Sequence, residues 1–405
     1  MDSRLLRWGW VCGLAGALAA CGGQNGGSAA PATTATAVAA PTRLSVAQAL
    51  FAEKGLSANG QQACASCHTD DNAHADATGT GLPLGGLSLT VQGFRSSPTM
   101  LYLEANGPFR FEGGLAFGGF TWDGRANTRA EQARGPLLDA AEMANPDAAA
   151  VAAKLRALPY FNDFVSVFGV PAGASDQQLF DQLATALETY QQLDPDYLLF
   201  NSKFDRYLDG TATLTAQEDR GLRVFNDPNK GNCASCHTSS VGPQGERPLF
   251  TNFGYAALGL ARNTQIQANA DPAFFDMGLC GPKRTDLSAR TDLCGQFKTP
   301  TLRNIALSAP YFHNAGVATL EQAVSFYATR DLFPDRWYPT VNGQVEKFND
   351  LPLAFRSNVN MARPFGLRPG DAPVLTPEDV ADLVVFLRTL TDDRAATPGT
   401  RWVLR

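Results

Sequence analysis

Apolar residues recur at helical spacing in several stretches of the chain, and strand-like alternation is scarce. In SDQQLFDQLATALETYQQL, Leu179, Leu183, Leu187 and Tyr190 fall on one face of a predicted helix. In TPEDVADLVVFLRTL, Thr376 caps the start, Pro377 occupies the first turn, and Val380, Leu383, Val384, Leu387 and Leu390 form the buried stripe. Two more helices open with capping boxes, SVAQALFAEKG at Ser45 with Gln48 and TAQEDRGLRVF at Thr215 with Glu218. Around LDPDYLLFNSKFDRYLDGTAT, Pro195 and Gly210 bracket a short helix-like piece where the chain divides into halves. Between Gly79 and Gly124 the helical period lapses, and TGTGLPLGGL and NGPFRFEGGLAFGGF are rich in glycine and aromatics. Such loops can approach a cofactor closely.

Each of the two capped helices runs into the same pentapeptide, CASCH, at Cys64–His68 and again at Cys233–His237. C-x-x-C-H is the attachment signature of c-type haem, because two thiols add across the vinyl groups while the adjacent histidine reaches the iron. Cys64, Cys67 and Cys233, Cys236 are therefore the predicted thioether residues, with His68 and His237 the iron ligands. A zinc knuckle needs four closed ligands, and a thioredoxin-like pair does not require the histidine. Neither accounts for the repeat. A helix leading into a haem-binding turn looks like the cytochrome c fold, so the expected architecture is mainly α. It has two cytochrome c-like domains, residues 44–205 and 206–395, each binding one covalent haem.

At the N-terminus Arg4 and Arg7 precede an apolar run from Trp8 to Ala20, a secretory signal over residues 1–20 that is short for a membrane span. It ends in LAAC, which resembles a bacterial lipobox, so Cys21 is the expected lipidation site and simple cleavage the alternative. Residues 21–43 then read as a flexible tether with a reach of roughly 25 Å. Export to the periplasm fits the cysteines: four hold haem, and Cys280 and Cys294 are left to pair as a disulfide. A formal net charge of −6 argues against nucleic acid and suits a basic redox partner. Membrane contact is expected through the lipid anchor only, and a homodimer stays open.

What fills the sixth position of each haem decides between electron transfer and reaction with peroxide, and the four histidines and five methionines leave few candidates. FTWDGRANTRAEQARGPLLDAAEMAN from Phe120 and FKTPTLRNIALSAPYFHNAGVATLEQAVSFY ending at Tyr327, with CASCH twice, resemble the bacterial dihaem cytochrome c peroxidase/MauG family. The resemblance covers nearly the whole mature chain. It implies that the first haem is the peroxide site, with Gln132, Pro136 and Glu142 in its distal pocket, where a carboxylate moves the peroxide proton and an amide orients the ligand. On residue type alone Gln132 is a surface amide and Glu142 an early residue of a helix near Asn145 and Pro146. Trp122 matches the tryptophan between the two haems and doubles as a core residue. Asp123 and Arg125 are expected to shape the turn and pair with propionates.

At the position where ordinary members place the methionine ligand of the second haem, this chain has Tyr327, as in the MauG-like subset. A core tyrosine hydrogen-bonded within the protein is the bland alternative. An anionic oxygen ligand favours ferric and higher iron, whereas methionine sulfur raises the potential. His313 is expected near a haem edge and His74 exposed or locally bonded. The family's calcium ion maps to the carbonyls of Ser308 and Pro310, although Tyr102 replaces the expected asparagine. The resemblance thus implies a peroxidase that reduces hydrogen peroxide with electrons from a small c-type cytochrome or copper protein. Oxidation of a partner protein's Trp or Tyr, and a non-enzymatic dihaem electron carrier, are the rivals.

Overall fold

In a computed structural model, residues 40–394 apart from Ala77 are described; the leader, Cys21 and most of the tether lie outside them, as does the last residue of the 206–395 segment. The fold is mainly α, with strands of only two or three residues. Helix α1, Arg43–Phe51, starts earlier than its sequence suggests: Thr42 is the N-cap and Ser45 its reciprocal partner at the third position. Two Ser/Thr residues three apart offer the same signal, and the earlier one wins. Arg43, assigned to the tether, is thereby helical.

Helices α2 (Arg129–Leu138), α3 (Ala148–Arg156), α4 (Phe161–Phe168) and α5 (Asp176–Leu193) complete the first half. α5 is the central member, touching α1, α2 and α3. Its Leu179, Leu183 and Leu187 enter a core with Val46, Leu50, Phe51, Leu155 and Phe164. α6 (Lys203–Leu208) sits in the segment bracketed by Pro195 and Gly210. In the second half α7 (Ala216–Asn226) packs on α9 (Pro377–Arg388), and α8 (Leu320–Thr329) packs on α9. Their core gathers Phe204, Val224, Phe225, Phe250, Val324, Leu383 and Phe386. Thr215 and Thr376 cap α7 and α9 through Glu218 and Asp379.

One element departs from expectation. Arg110–Glu112 and Leu115–Phe117 form an antiparallel hairpin inside the glycine-rich region. Most of its residues are exposed, so no buried face imposes the alternation by which a strand is recognised. Cys280 and Cys294 are joined by a disulfide.

The motif FKTPTLRN acts as a pin. Arg303 is 1 % exposed and Asp205 0 %, and they share two hydrogen bonds of 2.9 and 3.0 Å. Arg303 Nε also donates to the Pro248 carbonyl at 2.8 Å, and Thr301 Oγ1 to that of Leu249 at 2.6 Å. The loop carrying Phe250 is thereby held in place.

Candidate functional site

Two cavities flank a shared wall made by Ser96–Thr99, Trp122 and Lys298–Thr301. Cys64, Cys67 and His68 line one, and Cys233, Cys236 and His237 the other.

In the first, Cys64–Ser66 forms one 3-10 turn and His68 enters a two-residue strand paired with Ala75–Asp76. Ala73 and His74 both take left-handed backbone angles, φ 55° and 52°, which folds the chain back on itself. The His74 carbonyl consequently accepts a 2.7 Å hydrogen bond from His68 Nδ1. Engaging Nδ1 fixes the tautomer that leaves Nε2 for a metal. The His74 ring is buried at 1 % exposure and stacks on Tyr197 at 4.6 Å. Of the two expected states, exposed or locally bonded, the ring is therefore not exposed and the local bond is the one its carbonyl makes to His68.

In the second cavity, His237 Nδ1 donates to the Phe250 carbonyl at 2.8 Å, on the loop that Arg303 and Thr301 pin. Burial lowers the affinity of both imidazoles for a proton, His237 to about 4, so both are neutral, as metal ligands must be. Burial likewise pushes the Cys64, Cys67 and Cys233 thiols up to about 12, with nearby Cys and carboxylate groups adding to it. Each apolar cavity thus carries two thiols and a neutral imidazole on one wall, the donor set that covalent haem requires. Among the described residues no group of three or more His, Cys, Asp or Glu side chains is placed to hold a metal ion.

The opposite walls differ. Gln132, Pro136 and Glu142 all line the first cavity. Gln132 and Pro136 stand one turn apart on α2, and the proline removes the N–H that would bond the Gln132 carbonyl. The turn after α2 is locked from both sides. Glu142 N donates to Asp139 O and Gly86 N to Glu142 O, each at 2.9 Å. Only glycine fits at the neighbouring position 85, where a Cβ would lie 2.1 Å from the Ala141 carbonyl. Glu142 is exposed and lines the first cavity. Desolvation, with the Asp139 charge adding, pushes its carboxyl up to about 7 against the pull of Lys283 and Arg125. A carboxyl with that value takes or gives a proton readily near neutrality.

Across the second cavity stands Tyr327, on α8 with Leu320, Ala323 and Val324 buried. Its ring stacks on Phe365 at 5.2 Å. Burial raises the phenol well above its usual range, with further contributions from Cys233 and Cys236, which it faces. Among the described residues its hydroxyl makes no hydrogen bond, unlike that of Tyr102, which donates to Asp392 at 2.5 Å.

Trp122 lines both cavities, and its Nε1 donates to Ser96 O at 2.9 Å. His313 is buried beside it, ring centroids 6.4 Å apart, and stacks on Phe297 at 3.4 Å. Asp123 is already engaged by Arg95 at 2.6 Å and Arg125 at 2.9 Å, and Arg125 lines the first cavity. Ser308 and Pro310 line the second cavity. Sequence reasoning missed the two backbone acceptors, which depend on loop conformation, and the Asp139–Lys283 ion pair beside Glu142. For the pair the only available hint is an acid three residues before Glu142.

A helical fold with two unequal Cys-x-x-Cys-His cavities is the arrangement that c-type haem attachment requires. The profile described as di-haem cytochrome c peroxidase matches residues 41–213. Methylamine utilization protein MauG of Paracoccus denitrificans is 34 % identical over 363 residues, covering 85 % of this chain and 87 % of that one. Cytochrome c peroxidase Ccp of Escherichia coli is 32 % identical over 278 residues, 68 % of this chain and 50 % of that one. The crystal structure of the diheme peroxidase BthA from Burkholderia thailandensis superposes with a TM-score of 0.80 at 39 % identity, covering 87 % of each chain. The chain belongs to the dihaem cytochrome c peroxidase/MauG family, and membership implies two c-type haems.

Proposed function

We propose that the protein is an exported dihaem peroxidase of the MauG-like subset. Residues 44–205 hold the peroxide-reactive haem through Cys64, Cys67 and His68. Residues 206–395 hold the second through Cys233, Cys236, His237 and, on the far side, Tyr327. The haem irons, when bound, supply the electron-accepting and electron-donating centres. The observation that carries the reading is the inequality of the cavities: one faces Glu142, Gln132 and Pro136, the other a phenol without a hydrogen bond.

Glu142, poised near neutral pH, takes a proton from one peroxide oxygen and returns it to the other as the O–O bond breaks. Gln132 orients the ligand with its amide, and Pro136 keeps that stretch of α2 free of a competing backbone donor. Trp122, in the shared wall, is the side chain placed to carry charge between the halves. One H2O2 consumes two electrons and two protons to give two waters, the electrons coming from a small redox protein.

A second reading, oxidation of a partner protein's Trp or Tyr, is favoured by Tyr327, since an oxygen donor stabilises the more oxidised iron. The leader-like N-terminus supports export, with Cys21 as the lipid anchor.

The test is rapid mixing of wild type and Glu142→Gln with peroxide. A fall of about 10²- to 10⁴-fold in the first spectral change is expected for loss of an acid–base group. Equal rates refute the assignment. Rapid turnover with reduced cytochrome c supports the peroxidase; negligible turnover with a long-lived oxidised form supports oxidation of a partner protein.

A further inference from the structure

The loop closed by the Cys280–Cys294 disulfide belongs to the second half, yet it reaches the first cavity. Its base is tied down by Leu279 N to Gln296 O at 3.0 Å and Gly295 N to Met277 O at 2.9 Å. Two consecutive residues reach outward from it. Arg284, 6 % exposed, donates to the Asp123 carbonyl at 3.0 Å beside Trp122 and lies over the Phe109 ring at 3.7 Å. Lys283 pairs with Asp139 Oδ2 and lies 5.6 Å over the Phe94 ring.

Asp139 has a double task. Its Oδ1 accepts from Ala141 N at 2.9 Å and its carbonyl from Glu142 N at 2.9 Å, so it builds the turn that presents Glu142. Its other carboxylate oxygen is the one Lys283 holds. Asp139, Glu142 and Lys283 all line the cavity.

We propose that Lys283 is a positioning residue for the peroxide-handling carboxyl: acting through Asp139, it keeps the Asp139–Glu142 turn in place and balances the charge beside Glu142. This rests on the reading of Glu142 given above. The disulfide makes the arrangement durable, because it anchors the lysine's loop from the other half of the molecule.

Without Lys283, Asp139 would lose its hydrogen-bonded cation and its charge, balanced only by Arg125, would favour the protonated acid at Glu142. The other charged groups of this cavity are Arg125, which lowers both Asp139 and Glu142, Arg129, paired with Glu104, Arg95, paired with Asp123 and Asp276, Lys298, bonded to the Gly118 carbonyl, and Asp76, beyond the Cys67 thiol. Arg125 acts on Asp139 by charge alone, whereas Lys283 also hydrogen-bonds it.

The experiment uses the holoprotein with both haems. The carboxyl C=O band of Glu142 is followed through a pH titration by infrared difference spectroscopy and assigned by its absence in Glu142→Gln. Lys283→Met is expected to move the midpoint up by about one pH unit, and Asp139→Asn to move it down by a similar amount. Lys283→Arg is expected to keep the wild-type value. The pH profile of the reaction with peroxide should move in step. Opposite displacements support the proposal, since a general loosening of the turn would move both variants the same way. A midpoint unmoved in Lys283→Met and Asp139→Asn, or displaced in one direction by both, overturns it and leaves the reading of Glu142 standing. A pH profile that persists in Glu142→Gln overturns both.

Discussion

Replacing Asp205 by alanine tests how far the second site depends on the pin beneath it. The carboxylate is 0 % exposed. It accepts two hydrogen bonds from Arg303, at 2.9 and 3.0 Å, two from Ser202, Oγ at 2.6 Å and N at 3.1 Å, and one from Arg247 at 3.3 Å. Its loss strands a buried guanidinium, at a cost of about 3–5 kcal/mol for the broken partner. The reciprocal cap of α6 goes too, about 1 kcal/mol more. Against a total of about 5–15 kcal/mol for a typical fold, that is a large fraction. Urea unfolding followed by far-UV circular dichroism at pH 7 measures it, and the haem spectrum reports whether the Phe250 loop has shifted.

Two controls sharpen this test. Asp205→Leu with Arg303→Met leaves no unpaired buried charge, since Arg247 keeps its pair with Asp209 at 2.7 Å, so the double variant should be less destabilised than Asp205→Ala alone. Burial pushes the Asp205 carboxyl up, but hydrogen bonds and charge from Arg303 outweigh it and hold its pKa below the usual carboxylate range. A group lowered on folding contributes stability above its unfolded pKa, about 3.9, and loses it as pH falls through the folded value. The gap between wild type and Asp205→Ala should therefore narrow below about pH 4. A destabilisation under about 1 kcal/mol at pH 7, or a double variant worse than the single, would refute the reasoning from buried pairing.

Tyr327→Met should replace the low-spin EPR signal of the ferric protein and raise the potential of the second haem, as sulfur takes the place of oxygen; an unchanged signal means the tyrosine is not the ligand. Trp122→Phe keeps an aromatic ring in the shared wall but removes the indole and its bond to Ser96 O. In stopped-flow spectra with peroxide, the response of the second haem should then lag that of the first, and simultaneous responses would show that charge travels another way.

The haem-attachment residues are legible because thioether and iron ligands sit within five consecutive residues, and covalent chemistry dictates the spacing. Helix starts at Thr215 and Thr376 are equally local, since a cap speaks to residues three positions away. Legibility ends where geometry depends on distant partners. Lys283 meets Asp139 across 144 positions, and nothing in either neighbourhood announces the other. Arg303 reads as one member of a motif, whereas its purpose, holding the Pro248 carbonyl, appears only when Asp205 arrives from a separate helix. The hairpin at Arg110–Phe117 was invisible for the opposite reason, having no buried face to pattern its side chains. His74 is locally bonded, as one of its two expected states, but through its carbonyl to His68 rather than through its ring.

That carbonyl and its counterpart at Phe250 put a group that does not titrate directly behind each imidazole. A carboxylate hydrogen-bonded behind a metal-binding imidazole can take its proton and change the ligand's basicity with pH; a peptide oxygen cannot, so the hydrogen bonds behind His68 and His237 do not themselves titrate. Acidity in the surroundings is then sensed by other groups that line the cavities, Glu142 in the first and Asp350 in the second. Burial pushes both of these carboxyls up to about 7, so mild changes of pH reach both cavities, and they do so through carboxyls rather than through the groups behind the imidazoles.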